Sequence, residues 1–177
     1  NLRIGKWYPL RSLASIYVDV IRGTPVVVQL YIMYFIIMLN VSNKVLVGFI
    51  TFGLNSAAYV SEIIRSGILA VDKGQTEAGR SLGLSSFMTL RLIVLPQMIK
   101  IALPSLLNEI IALLKETSVL GMIGLMDLAK SGDFVRSRTF SPSVPLFTVA
   151  LIYLAMVTIL SNVFRKVEGR LRASDLR

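Results

Sequence analysis

The chain has 177 residues, is 54% hydrophobic and carries a net charge of +9, with no cysteine and no histidine. A mean hydropathy of +0.70 is more than soluble domains sustain and puts the chain in the membrane class. The missing residue types exclude disulfides, Cys/His metal centres and Ser-His or Cys-His catalysis, and the positive balance reads as basic flanks of membrane spans rather than a nucleic-acid surface.

The chain begins at Asn1, which reads as a fragment with something missing upstream, and no signal-peptide pattern opens it. Four stretches reach or approach the ~20 apolar residues that a bilayer crossing needs. The first, residues 23–43, "GTPVVVQLYIMYFIIMLNVSN", has no charge and could extend back through "SLASIYVDVIR" as a tilted or long helix. The second is residues 45–61. The third, residues 101–126, "IALPSLLNEIIALLKETSVLGMIGLM", carries charges, and the fourth, residues 144–164, is the cleanest. Backbone in lipid must satisfy its own hydrogen bonds, and these runs are too long for barrel strands, so all four are predicted as helices.

Basic residues orient them. Arg3, Lys6 and Arg11 precede the first span. Arg65, Lys73, Arg80, Arg91 and Lys100 lie between the second and third, and Arg165, Lys166, Arg170, Arg172 and Arg177 follow the fourth. The other side receives Lys44, Lys130, Arg136 and Arg138. The positive-inside bias places the amino end, the central segment and the carboxyl tail in the cytoplasm and implies a fifth helix upstream. The expected fold is an all-α membrane bundle, one domain over residues 1–177, with four spans here and five in the full chain. Residues 126–143, "MDLAKSGDFVRSRTFSPS", read as an outer loop, either a plain connector or a contact for a substrate-delivery protein.

Between the second and third spans lies a polar, glycine-punctuated segment, about residues 72–96. Asp72 is a candidate N-cap, with Gln75 three residues on as a loose capping box. Residues 73–82 read as a short helix ended by Gly83 at the C′ position. Ser85 or Ser86 caps a second helix, with Leu84, Phe87, Met88, Leu92 and Leu95 at helical spacing, until Pro96 breaks the pattern. The segment is therefore a helix–turn–helix on the cytoplasmic face. Patterning alone leaves it as either an amphipathic hairpin on the headgroups or a docking element.

The spacing Glu77-Ala78-Gly79, three residues, Gly83, nine residues, Ile93-x-Leu95-Pro96 resembles the EAA motif of ABC importer permeases, E-A-A-x3-G-x9-I-x-L-P. One position departs: Gly79 stands where that family mostly has Ala, which should loosen the first helix by about 1 kcal/mol at most. "RGTPVVVQL" (residues 22–30), "NSAAYVSEIIRSGI" (55–68) and "LLKETSVL" (113–120) are similar to the polar amino-acid subfamily. The resemblance, which covers nearly the whole chain, implies a type I importer-like bundle without covalent chemistry of its own. It implies coupling helices, with Glu77, Ala78, Gly79, Gly83, Phe87 and Met88, seated on a separate ATPase subunit that binds ATP and Mg. It further implies a second permease subunit, identical or a sister, and an extracytoplasmic solute-binding protein, in a prokaryotic inner membrane. Glu77 pairs either with that ATPase or with Arg80, and the Phe87/Met88 face serves either the partner or the permease's own core. Nothing resembles a Walker motif.

Charges at membrane depth mark candidate binding residues, because an ionised group near the bilayer centre costs roughly 3 kcal/mol unless it faces protein or water. Glu116, with the hydroxyls of Thr117 and Ser118, is the strongest candidate for an amino acid's ammonium, since a carboxylate attracts a cation more strongly in a low-dielectric cavity. The resemblance agrees, placing an acidic residue here. Gly121 and Gly124 follow and permit unwinding. Asn55 and Tyr59, one turn apart, are further cavity candidates, with interhelical hydrogen bonding as the alternative. Glu109 reads equally as cavity-facing or paired within the bundle, Glu62 as interfacial, and Asp19 with Arg22 as a pair. Gly53 and Ala57 read as a small-residue seam, for packing inside the subunit first and a dimer seam as the alternative. Two rival functions remain at this level: an ion-coupled secondary transporter with Glu116 and Glu109 as a proton relay, and a membrane scaffold.

Overall fold

The computed structural model describes residues 8–173. Helix α1 (Tyr8–Gly23) is followed by α2 (Val26–Ile32), which runs into a π-helical turn (Met33–Ile37). Then come α3 (Lys44–Ala70), α4 (Lys73–Ser81) and α5 (Ser86–Thr89). A second π-helical turn (Leu90–Val94) joins α5 to α6 (Leu95–Glu116). A 3-10 segment (Thr117–Ile123) follows, then α7 (Leu128–Thr139) and α8 (Ser143–Ala173). The described residues contain no strand. Arg3, Lys6 and Arg177 of the orientation argument lie outside them.

Three helices are long and apolar enough to cross a membrane: Lys44–Ala70, Ser86–Ile123 and Ser143–Gly169. The first predicted span differs from expectation. Instead of one helix over residues 23–43, the chain makes a pair, Leu10–Gly23 and Val26–Ile37, bent by 109°. Pro25 causes the break: it has no N–H to donate, disfavours helical backbone at Thr24, and is itself extended (φ −61°, ψ 137°) as it starts α2.

The second span is longer than predicted. Asn43 caps it by accepting from the backbone N–H groups of Val45 and Leu46 at 3.0 and 3.1 Å. The third begins well before residue 101, because Pro96 does not end the helix. Pro96 lies in the first turn of α6, where a missing N–H costs least, and the π turn before it is closed by Leu95 N–H donating to Leu90 O. The second arm of the polar hairpin and the membrane helix are thus continuous. The segment expected as an outer loop holds a twelve-residue helix, α7, begun by Asp127, whose Oδ1 accepts from Lys130 N at 2.6 Å.

The core runs between α3 and α6. Gly67 brings α3 against Ala102 and Met98, and Val71, Val94, Met98 and Ala102 form a buried cluster at the hairpin end. Each fully buried aliphatic side chain there contributes roughly 1.5–3 kcal/mol where the alternative is water. Higher up, Gly48 admits Leu120. α7 lies along the first half of α8, with Gly132 against Val149. A third of the α3 span is buried but only 6% of the α8 span, so α8 meets the molecule along a narrow strip. Gly53 and Ala57 are exposed, and nothing lies within 4 Å of a Cβ at Gly53, so this seam is not used inside the subunit as expected.

Candidate functional site

The hairpin α4–α5 is built by local rules. Asp72 caps α4, its Oδ1 accepting from Gly74 N at 2.6 Å. The expected capping box is only half made, because the Gln75 side chain instead accepts from Gln97 Nε2 at 3.2 Å. α4 ends in a Schellman motif: Leu84 N–H donates to Gly79 O (3.2 Å) and Gly83 N–H to Arg80 O (3.0 Å). Gly83 is left-handed, φ +81°, a backbone that glycine adopts without penalty. Ser85 caps α5 through Met88 N at 3.2 Å.

Gly79 has a second role. It is buried, and a Cβ there would stand 2.8 Å from Ile93 Cδ1 and 2.9 Å from Thr89 Cγ2. The departure from the motif's Ala is therefore what lets α4 close onto α5. On the outer side of the hairpin Leu82, Phe87 and Met88 are 82, 68 and 45% exposed, so the Phe87/Met88 face is not core. Glu77 and Ala78 are exposed as well. Glu77 makes no ion pair with Arg80, whose Nη1 donates to Leu84 O at 2.9 Å.

At membrane depth the candidates separate. Asn55 is buried and its Nδ2 donates to Gln29 Oε1 at 3.0 Å. Gln29 Nε2 in turn donates to Ile21 O, Thr24 O and Thr24 Oγ1 at 2.7–3.0 Å. Asn55 therefore tethers the α1–α2 bend to α3, the interhelical alternative, rather than facing a cavity. Tyr59 lies under the Arg22 guanidinium, 5.5 Å from ring centroid to Cζ. Arg22 is 3.9 Å from Glu62, and Arg65 pairs with the same carboxylate at 2.5 Å, so Glu62 ties α1 to α3.

Glu116 is the half-buried last residue of α6. Thr117 Oγ1 donates to Leu114 O at 2.8 Å, and Ser118 lies beside Tyr153 of α8. Between α3 and α6 opens a groove of about 630 Å³, lined by Phe49, Gly53, Ser56, Ala57, Leu113 and Thr117 among others. Thr117 is the one predicted binding residue on its wall. Glu109 is not on the wall but lies beside Ser56, which is. Glu109 and Glu116, two turns apart, both half-buried, give this side of α6 two carboxylates within each other's field. Sequence reasoning left Glu109 undecided and missed Tyr153, whose only signal was a hydroxyl-bearing ring in the middle of the most apolar run.

Comparison with known proteins decides the family. A family model described as "Binding-protein-dependent transport system inner membrane component" matches residues 5–173. The chain belongs to this family. The permease is 42% identical over 175 residues to a putative glutamine transport system permease protein GlnP of Rickettsia bellii, covering 97% of this chain and 80% of that one. It is 38% identical over 182 residues to the arginine transport system permease protein ArtQ of Bacillus subtilis, covering 98% and 80%. A crystal structure of an amino acid ABC transporter with histidines superposes at a TM-score of 0.89 with 39% identity, covering 96% of the permease and 80% of that chain. An inward-facing MetNI methionine ABC transporter shares the fold at a TM-score of 0.79 and 16% identity over 95% and 78% of the two chains. The permease is thus an all-α, multi-pass inner-membrane transport component and not itself a catalyst.

Proposed function

We propose that this permease is the membrane subunit of an ATP-driven ABC importer for polar amino acids, moved by a separate ATPase that holds the ATP and Mg. The observation that carries the reading is the hairpin. A rigid Schellman turn presents Leu82, Phe87 and Met88 outward, and its second arm continues without a break into a membrane-spanning helix. A partner gripping that face moves α6 as one body, the rigid-body class of transition. Glu77, unpaired within the described residues and exposed, is available to a basic group of the ATPase, with Ala78, Gly79 and Gly83 shaping the elbow beneath it.

The substrate reading rests on Glu116 and Thr117, with Ser118 beside Tyr153 and Glu109 on the same side of α6. Two half-buried carboxylates beside the groove, though not on its wall, favour an α-ammonium or a cationic side chain. Asn55 and Tyr59 support the bundle that forms this groove. The open Gly53/Ala57 side and the bare face of α8 suit a second permease subunit, identical or a sister. An extracytoplasmic solute-binding protein delivers the amino acid on the α7 side, and the carboxyl tail, with Arg165 and Lys166, lies in the cytoplasm.

Glu116→Gln tests the substrate assignment. A charge-assisted contact contributes roughly 1.5–3 kcal/mol, so the assembled importer should need about ten-fold or more substrate for half-maximal uptake while retaining basal ATP hydrolysis. Unchanged uptake and unchanged substrate-stimulated hydrolysis would remove Glu116 from the site.

A further inference from the structure

Behind the hairpin, on the side away from Phe87, lies a cleft of about 360 Å³ between α4, α5 and the end of α3. Its composition differs from the rest of the molecule. Lys73, Thr76 and Arg80 recur at i, i+3 and i+7 and form one face of α4; Ser86 faces them from α5. The floor is apolar, from Ile68 and Leu69 at the end of the spanning helix α3. Leu69 is 63% exposed, so this floor continues onto the outside of the bundle where acyl chains lie. Neither Lys73 nor Arg80 has an acidic partner among the described residues. The Arg80 bond to the Leu84 carbonyl engages a single Nη1 donor and leaves the guanidinium charge uncompensated.

Two cations outside any ion pair and the hydroxyl-bearing Thr76, Ser86 and Thr89 above an apolar floor at the end of a membrane span match one chemistry: a phosphodiester carrying hydrocarbon. We propose that this cleft binds the headgroup of an anionic phospholipid of the cytoplasmic leaflet, with the phosphate between Lys73 and Arg80 and the first methylenes against Leu69. A soluble phosphate would satisfy the cations but leave the apolar floor uncovered, and an acidic loop of a protein partner would do the same. Basic pockets at the cytoplasmic ends of membrane helices are favourable places for such headgroups, because the leaflet is itself negative and each Lys or Arg near it adds attraction. The site would brace the elbow against the membrane, so that force applied at Phe87 and Met88 turns α6 rather than lifting the hairpin off the bilayer.

The inference rests on the cytoplasmic placement of the hairpin, which is measured separately. The sequence has no cysteine, so labelling of Phe87→Cys by an impermeant maleimide in inside-out but not right-side-out vesicles reports the side alone. Binding is then read on the assembled permease–ATPase complex in nanodiscs of phosphatidylcholine doped with phosphatidylglycerol, by native mass spectrometry of retained lipid. Retained phosphatidylglycerol should fall roughly five-fold for Lys73→Gln and for Arg80→Gln, and recover in Lys73→Arg. Lys166→Gln, a basic change elsewhere, should leave it unchanged. Lys73 is exposed and makes no side-chain hydrogen bond or ion pair, so its variant is informative even if Arg80→Gln disturbs the turn. Equal retention in Lys73→Gln and the parent overturns the proposal. So does displacement of the lipid by millimolar inorganic phosphate, which would make this a plain phosphate site, and so does lipid binding seen only when the ATPase is absent, which would give the cleft to the protein interface.

Discussion

At the scale of single residues, Gly79 decides whether the hairpin closes. Helix propensity alone favours Ala there by about 1 kcal/mol, and the EAA pattern favours it too. The structure opposes both. A Cβ would approach Thr89 Cγ2 to 2.9 Å, and Thr89, 1% exposed and β-branched, cannot rotate away. Its Oγ1 is further held by a 3.0 Å bond to Ser85 O. Overpacking of this kind costs typically 1–3 kcal/mol. Gly79→Ala should therefore lower the thermal midpoint of the purified permease, and adding Thr89→Ser, which removes one of the two obstructing methyls and leaves that of Ile93, should restore part of it. A midpoint that rises in the single variant would mean that propensity outweighs the contact.

At the scale of elements, Gly83 and the α7 helix make separable claims. Nothing lies within 4 Å of a Cβ at Gly83, so substitution there acts through backbone conformation alone. An L-residue at φ +81° costs roughly 1 kcal/mol or somewhat more. Gly83→Ala should weaken ATPase association about five-fold in a binding titration while leaving membrane insertion intact; unaltered association would remove the turn from the interface. α7 carries its own acid sensitivity. The Arg136 guanidinium, hydrogen-bonded to Asp133 and helped by Lys130, holds that carboxyl below its ordinary value of 3.8. A depressed pKa contributes stability above the ordinary value and loses it as pH falls through the lowered one. Hydrogen-exchange protection of α7, corrected for intrinsic rates, should thus be flat from neutral pH down to about the ordinary carboxylate range and decline below it. In Arg136→Ala protection should be lower at neutral pH and the acid-linked decline smaller, because the carboxyl is no longer held down, and an identical profile would show the pair to be without effect on the helix.

At the scale of the whole molecule, the sequence made the hairpin and the spans legible because both are written locally. Asp72, Gly83 and Ser85 act within a few residues of themselves, and long apolar runs need no knowledge of neighbours. The misread features depended on distant parts of the chain or on two nearby effects in competition. Pro25 bends the first span and Pro96 leaves the third intact, a difference set by an adjacent π turn that no residue type announces. Asn55 could be assigned to the bundle only once Gln29 was seen beside it, and Glu109 to the groove's edge only once Ser56 was. The helix in the outer segment was hidden by its polarity, although Asp127 before Leu128 was a readable cap. The proposed function unites the molecule mechanically: an elbow of two short helices, continuous with α6, would convert motion of a partner into movement at the Glu109–Thr117 stretch. The most direct measurement is uptake of amino acid into sealed vesicles holding the full-length permease, with and without its ATPase subunit and ATP. The account predicts accumulation only when the ATPase is present and hydrolysing, and none under an ion gradient alone; accumulation by the permease without that subunit would contradict it.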